Sequence, residues 1–261
     1  MFKYLGLQIG LSVCACVALH GAMLRESLDG LRENHFGFVV VDVGITEEDL
    51  SIFSAIDIER EWFFHQFGEL EKIQERISEY LSKVGSNDHE LTLQAAARLT
   101  QIVHQVLNAS VKDSAWVHLR SSVPTDKYDL PRWHMDGYYY IPEGPDDLLF
   151  KFAATLIGPS TLFYLLPPEL RSSIKMKVRD RNYMKEFCQI ENIVSPRLGE
   201  GVVFVGGRGV GLAALHSEPP IHENRLFFSI VPCTENQLVE LKARVLGVYP
   251  QDSTRSIVHS K

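Results

Sequence analysis

The spacing of the apolar residues changes near residue 111, and this change constrains the fold more than any other feature. Before it, apolar side chains recur every three or four residues, as in an amphipathic helix. After it come short alternating or wholly apolar runs, separated by turn sequences such as Gly158-Pro159 and Gly199-Glu200-Gly201. Seven or eight short strands behind a helical first half predict an α+β fold. We expect an antiparallel barrel or double-sheet jelly roll with helices packed on it.

The first half also contains one strand and one clear helix start. Phe38 to Val43 is a β-branched run bounded by glycines, which predicts a buried strand. Thr46 is placed as an N-cap, with Asp49 three residues later in the position of a capping box. Two longer helices are predicted over about residues 58–84 and 89–107, with a turn at 85–88.

These patterns predict one domain over residues 23–261. Its parts are a helical segment at 23–111, a β core at 112–233 and a C-terminal helix within 234–250. Residues 1–22 stand apart, because Lys3 is followed by an apolar run and then by small residues. This outline is typical of a signal peptide or membrane anchor, and the alternative is an apolar helix packed on the domain. The first reading predicts the secretory pathway or a membrane tether, and the second predicts the cytoplasm.

Charge and cysteine content exclude some classes of protein. The net charge of −7 argues against a general nucleic-acid-binding protein, because phosphate contacts require clustered Lys and Arg. Four scattered cysteines are too few for a disulfide scaffold or a structural zinc cluster. The expected partner is therefore a substrate, and the sequence does not distinguish a small molecule from a lipid or a peptide.

The sequence Trp133-His134-Met135-Asp136-Gly137 holds the strongest chemical signal. On a strand, His134 and Asp136 point to the same face, so one metal ion can bind both. The third ligand is His216 or His222, and we favour His216 because Arg225 then lies on the neighbouring strand of a hairpin. Two histidines and one carboxylate are typical of non-haem Fe(II) oxygenases, in which three coordination positions stay open.

Taken with the Gly201-Val202-Val203-Phe204 strand and the His216–Arg225 spacing, this motif resembles the Fe(II)- and 2-oxoglutarate-dependent dioxygenase superfamily, including its phytanoyl-CoA hydroxylase-like and prolyl-hydroxylase-like members. The match covers about residues 112–233. The resemblance implies a double-stranded β-helix, with Fe(II) held by His134, Asp136 and His216. It also implies 2-oxoglutarate with its distal carboxylate on Arg225, O2 as oxidant, and ascorbate as a supporting reductant.

One position departs from the pattern of the superfamily. Many members carry Ser or Thr two residues after the arginine, where this chain has Phe227, and Ser229 follows on the same face. Ser229 is therefore our candidate for the hydroxyl that assists Arg225. The resemblance implies hydroxylation or oxidative demethylation, with release of succinate and CO2. The alternatives are a cupin-like metal enzyme that does not use 2-oxoglutarate, and a catalytically degenerate scaffold of the same fold.

Several other residues have two readings each. Five aromatic residues can line a substrate pocket or belong to the core, namely Trp116, Trp133, Tyr138, Tyr139 and Tyr140. Three cationic residues can contact an anionic substrate or be solvated, namely Arg120, Arg132 and Lys151. The basic stretch at 171–185 is expected to be an irregular, exposed insertion or a lid over the substrate.

Overall fold

The structure is a computed structural model that describes residues 20–85, 88–126, 130–144, 147–207 and 212–247. Residues 20–33 are helical (α1). The other helices are α2 (Glu47–Ser54), α3 (Ile73–Val84), α4 (His89–Ser110), α5 (Arg171–Lys177), α6 (Arg181–Phe187) and α7 (Glu235–Leu246). The strands are β1 (Phe38–Asp42), β2 (Trp62–Phe67), β3 (Ser114–Ser122), β4 (Phe150–Ile157), β5 (Leu162–Tyr164), β6 (Ile193–Val194), β7 (Glu200–Val205), β8 (His216–Ser217) and β9 (Arg225–Cys233).

Two antiparallel sheets form the core. The larger has the strand order β1-β7-β4-β9-β3-β2, and the smaller has the order β6-β5-β8. A single antiparallel bridge between His134 and His216 adds the segment around His134 to the free edge of β8. The inner faces of the sheets meet where Phe163 of β5 packs against Phe38 of β1 and Phe204 of β7. This is a double-stranded β-helix buttressed by helices, so the predicted fold class is confirmed.

The alternation of β9 separates the core from the interior of the β-helix. Leu226, Phe228 and Ile230 belong to the main hydrophobic cluster, which also contains buried residues of α3 and α4. Because successive side chains on a strand point to opposite faces, Arg225, Phe227 and Ser229 must face the other way, into the β-helix. The helices therefore stabilise the outer face of the large sheet, and its inner face carries aromatic residues together with the polar and charged residues of the interior.

The prediction of one helix over residues 58–84 is wrong in its first part. Trp62–Phe67 forms β2, which pairs with β3 at the edge of the large sheet, and helix α3 begins only at Ile73. Phe63 and Phe67 are spaced as on a helix, but the run Trp-Phe-Phe-His-Gln-Phe has high β propensity. The edge of β3 was free for pairing, and this tertiary contact favoured the two-residue repeat of a strand over the three- to four-residue spacing of a helix. The segment 23–111 is therefore not wholly helical.

The predicted capping box at the start of α2 is confirmed. Thr46 caps α2, and its hydroxyl and the Asp49 carboxylate bond reciprocally to the backbone, as a capping box requires.

The stretch at 171–185, predicted to be irregular, instead forms α5 and α6, whose residues Ile174 and Met184 pack on the outer face of the small sheet. The proposed targeting segment lies outside the described residues up to position 19, and residues 20–22 begin α1. No helix among the described residues combines the length and hydropathy of a membrane span.

The turn between β4 and β5 gives a test of the fold. Gly158 has φ +76°, and a Cβ there would lie 2.1 Å from the carbonyl oxygen of Asn224, next to Arg225. We expect Gly158→Ala to lower the free energy of unfolding by at least about 2 kcal/mol, because strain and a backbone clash add. Gly30→Ala is the control, since that site in α1 has open space and alanine there should be neutral or stabilising. Chemical denaturation of both variants checks this, and equal stabilities would contradict the described turn.

Candidate metal centre

Three side chains converge at the junction of the two sheets. His134 lies opposite His216 in the antiparallel bridge, where each backbone N–H donates to the other's carbonyl at 2.8 and 3.0 Å. The Nε2 atoms of both histidines lie 3.6 Å from the same oxygen, Oδ1 of Asp136. All three potential ligand atoms fall within 4.8 Å of one another. The exposed His222 lies outside this group. The sequence-predicted triad is thus brought together as one potential metal site.

Backbone carbonyls orient both histidines. Nδ1 of His134 faces the carbonyl oxygen of Arg132 at 2.8 Å, and Nδ1 of His216 faces that of Ala214 at 3.2 Å. A carbonyl can only accept, so each Nδ1 carries the proton and each Nε2 presents its lone pair. Burial, with a smaller effect of His134, lowers the pKa of His216 to about 3. His216 is therefore neutral at physiological pH, which is the form that binds a metal ion.

The second oxygen of Asp136 is held by two groups for which the sequence suggested other roles, Tyr139 as a pocket-lining or core residue and Lys151 as a substrate contact or a solvated charge. The Tyr139 hydroxyl donates to Oδ2, and the ammonium of Lys151 lies 3.5 Å from it. Burial alone would raise the pKa of Asp136, but Lys151, His216 and His134 outweigh it and hold that pKa far below its usual range. Asp136 is therefore ionised, and Oδ1 is left facing the histidines. The sequence does contain one indication of a role for Lys151, because it is an isolated charge in an otherwise apolar strand.

Removing the Tyr139 hydroxyl should loosen this arrangement. We expect Tyr139→Phe to weaken Fe(II) binding by about 10- to 100-fold, because groups that orient a metal ligand typically have effects of this size. Tyr140→Phe is a control, since it removes a buried hydroxyl that donates to the carbonyl of Pro232 away from the triad. Anaerobic calorimetric titration with Fe(II) measures both. Equal affinities for the two variants would mean that Tyr139 does not position the carboxylate.

Arg225 is a buried cation with no carboxylate within ion-pair distance among the described residues. Its side chain is 1% exposed, and the Glu218 carboxylate acts on it only from a longer distance. Nε donates to the carbonyl of Pro159 at 2.8 Å, and Nη2 donates to the hydroxyl of Thr161 at 2.9 Å. Burial lowers the pKa of Arg225 to about 10, so the guanidinium stays charged. An unpaired charge in this setting is costly, and the arrangement is suited to an anionic ligand.

Two contacts connect Arg225 to the triad. Thr161 lies two residues before Phe163 at the start of β5, and the Phe163 ring packs 5.8 Å from the ring of His216. Phe227 lies between Arg225, at 4.9 Å, and Lys151, at 5.9 Å, as measured to the ring centre. The hydroxyl beside Arg225 is thus that of Thr161, whereas Ser229 lies further along β9 opposite His118. The sequence could not have identified Thr161, because the pairing joins positions 64 residues apart.

A charged cluster closes the end of the β-helix near Arg225. Glu218, two residues after His216, accepts hydrogen bonds from both Arg120 and Arg132, and Arg120 also pairs with Glu61 at 2.7 Å. Burial would raise the pKa of Glu218, but Arg120 and Arg132 outweigh it and lower that pKa. Arg120 is therefore buried in ion pairs and Arg132 is partly exposed but paired with Glu218, so neither is an isolated anion site. Through Glu218, Arg132 links the two segments that carry the histidines, and Arg120 links them to β3.

The remaining sequence candidates divide between interior and core. Trp116 faces the interior, where its ring lies 5.8 Å from that of Tyr139. Trp133 packs on the outer face of the small sheet with Tyr164, and Tyr140 is fully buried in a separate cluster with Leu241. Tyr138 is exposed. Of the five aromatic candidates, only Trp116 and Tyr139 therefore lie beside the metal centre.

No protein-family model and no curated protein matches this chain. Among solved structures, it is similar to a prolyl-4-hydroxylase from Pseudomonas putida at 12% identity, with 80% of this chain and 98% of that chain covered and a TM-score of 0.40. A dioxygenase for auxin oxidation from rice matches at 11% identity, covering 85% and 78%, with a TM-score of 0.43. A 2OG-Fe(II) oxygenase family oxidoreductase from Burkholderia pseudomallei matches at 9% identity, covering 82% and 88%, with a TM-score of 0.36. These similarities indicate no activity and no substrate for this chain.

Proposed function

We propose that this protein is an Fe(II)- and 2-oxoglutarate-dependent oxygenase that oxidises a substrate and releases succinate and CO2. The observation that carries the proposal is the convergence of His134, Asp136 and His216 inside the β-helix that also buries Arg225. His216 is neutral, Asp136 is ionised and Arg225 is charged, as their roles require.

The triad fits Fe(II) in donor type and in support. Two neutral imidazole nitrogens and one ionised carboxylate oxygen form the donor set typical of non-haem iron oxygenases. Each donor has its other polar atom engaged by the protein, which is the usual support of a metal ligand. The His134 side chain is 39% exposed, so the centre can be reached from solvent on that side.

Arg225 fits the distal carboxylate of 2-oxoglutarate. A carboxylate would neutralise the buried guanidinium, and the planar fork of arginine can bind it through two hydrogen bonds. Thr161 would orient that fork through the hydrogen bond that it already accepts. A buried arginine is not by itself an anion-binding site. Arg171 is also buried, but it lies on the outer side of the small sheet and donates to the carbonyls of Ala213 and His35.

Bound iron and 2-oxoglutarate would supply the oxidising chemistry, in which decarboxylation to succinate is coupled to oxidation of a substrate C–H bond. The protein's part is to hold and orient. Lys151 and Tyr139 keep Asp136 ionised and turned towards the histidines. Phe163, Phe204 and Phe227 surround this region with apolar rings and limit the entry of water.

The two alternatives assign fewer of these residues. A cupin-like enzyme without 2-oxoglutarate would use the triad but gives the buried Arg225 no role. A degenerate scaffold would require neither the carbonyl-oriented histidines nor the ionised Asp136. The oxygenase proposal is the one in which all four side chains have a function.

The test is turnover of the co-substrate. Purified protein with Fe(II), ascorbate and O2 should convert 2-oxoglutarate to succinate at a slow rate even without substrate, and a true substrate should accelerate it. A panel of small molecules, lipids and peptides then identifies the substrate class. Absence of both succinate formation and Fe(II) binding would overturn the proposal.

A further inference from the structure

Five rings cover the inner face of β2 and β3 beside the metal centre. Phe63, His65 and Phe67 alternate along β2, and Trp116 and His118 lie opposite Phe67 and His65 on β3. We refer to these five residues as the ring platform. Neighbouring rings along β2 are nearly parallel, with interplanar angles of 0° and 13°, and those between the strands lie at 8° to 19°.

A hydrogen bond within the ring platform shows how the rings are arranged. The indole N–H of Trp116 donates to Nδ1 of His65 at 3.2 Å, and these two rings are tilted by only 19°. The N–H lies in the plane of the indole, and the accepting lone pair lies in the plane of the imidazole. Such a bond between nearly parallel rings places them side by side rather than face to face. The ring platform is therefore flat in this part.

The ring platform is accessible. β2 is the edge strand of the large sheet, at the end opposite β1, against which Phe163 of the small sheet packs. Phe63 is 49% exposed, and His65, Phe67 and His118 are partly exposed. Large aromatic side chains left partly in water at one place mark a binding surface more often than a stable monomer surface.

The ring platform carries no net charge of its own. Burial, together with Lys151 and His65, lowers the pKa of His118 to about 2, and burial lowers that of His65. Both imidazoles are thus neutral near pH 7. The cations at its two ends already have carboxylate partners: Arg120, 5.0 Å from the Phe63 ring, pairs with Glu61, and Lys151, 5.8 Å from the Trp116 ring, lies beside Asp136. A charged ligand would therefore find no free counter-charge in this set of residues.

The same contacts place the ring platform next to the proposed chemistry. Lys151 contacts the indole of Trp116 on one side and the metal-binding Asp136 on the other. Tyr139 bridges the same two residues, since its ring lies 5.8 Å from Trp116 and its hydroxyl donates to Asp136. A molecule lying on the rings would be one side chain away from the metal ligands.

From these near-parallel, neutral and accessible rings we infer that the ring platform binds the substrate, and that the substrate is a small molecule with an uncharged, planar aromatic ring. This inference rests on the proposed function for the word substrate, but the binding itself can be measured separately. Flat rings stack on flat surfaces, and aromatic pairs gain binding energy beyond that of buried area.

The test uses one pair of probes, 2-naphthol and its saturated analogue decahydro-2-naphthol, which are similar in size and both uncharged at pH 7. Dissociation constants are measured by calorimetry, with and without Zn(II) and 2-oxoglutarate, so that no turnover occurs. We expect 2-naphthol to bind at least 3-fold more tightly than its analogue, and Phe63→Leu and His65→Leu each to weaken it by about 3- to 10-fold. Trp62→Leu is the matched control, because Trp62 is equally exposed but points to the opposite face of β2.

The outcomes separate this inference from the proposed function. Equal binding of the two probes, or equal loss in Trp62→Leu and Phe63→Leu, overturns the ring platform as a binding site, whether or not succinate is formed. If 2-naphthol binds preferentially and this binding depends on Phe63, but the protein never forms succinate, then the ring platform is a binding site but not a substrate site. This result overturns the role of the ring platform in substrate binding together with the proposed function. A dimer that dissociates in Phe63→Leu, seen by analytical ultracentrifugation, would make this face a subunit interface and overturn the inference.

Discussion

Asp136→Asn should abolish turnover of 2-oxoglutarate and weaken Fe(II) binding by at least about 100-fold, because a neutral amide replaces the only anionic ligand of the triad. The side chain keeps its shape, so the expected loss is one of charge and not of packing. The Tyr139 hydroxyl can still donate to the amide oxygen, whereas Lys151 loses its carboxylate partner. Anaerobic calorimetry with Fe(II) and a succinate assay measure the two effects.

Asp147→Asn is the matched control for this variant. The Asp147 carboxylate is also largely buried, and it pairs with Lys112 at 2.8 Å, which helps to lower its pKa, but it lies outside the triad. It should lose stability comparably and bind iron normally. If Asp136→Asn bound Fe(II) as tightly as Asp147→Asn, then Asp136 would not be a metal ligand.

Arg225→Met should raise the KM for 2-oxoglutarate by about 100-fold or more while leaving Fe(II) affinity unchanged, because a buried, charge-paired hydrogen bond to a carboxylate is typically worth 2–5 kcal/mol. Without 2-oxoglutarate, the variant should be as stable as the wild type or more so, since it removes a buried charge that forms no ion pair among the described residues. Thermal melting adds a second readout, because 2-oxoglutarate should raise the Tm of the wild type and not that of the variant.

Arg171→Met provides the comparison. It removes another buried guanidinium, one that donates to two backbone carbonyls outside the β-helix. It should destabilise the protein, because those carbonyls lose their donors, but it should not change the KM for 2-oxoglutarate. A parallel loss of iron and of 2-oxoglutarate in Arg225→Met would instead make Arg225 a structural residue.

The sequence alone predicted the residues of the proposed metal site more fully than the architecture around them. The spacing of His134 and Asp136 follows from the two-residue repeat of a strand, and it predicts that both side chains reach one point. The preference for His216 over His222 followed from the expected hairpin with Arg225. The capping box of Thr46 and Asp49 is also local, because its bonds join residues three apart.

Only the tertiary structure decided the remaining parts of the site. His134 and His216 are about eighty residues apart in the chain, so their antiparallel bridge and the common oxygen of Asp136 could not be read from spacing. Thr161 reaches Arg225, and Lys151 reaches Asp136, only because the fold brings the small sheet and its flanking segments against the large sheet. For the same reason Ser229, which is closer in sequence to Arg225, was the natural expectation.

The segment at 62–67 shows the physical limit most clearly. Its aromatic residues satisfy the spacing of a helix at Phe63 and Phe67 and the alternation of a strand at Phe63, His65 and Phe67. Local preference could not distinguish a helix from a strand here, and the segment became a strand because it could pair with the free edge of β3. That pairing created the ring platform, so the surface that we expect to select the substrate was determined by tertiary structure, whereas the metal ligands were already visible in the sequence.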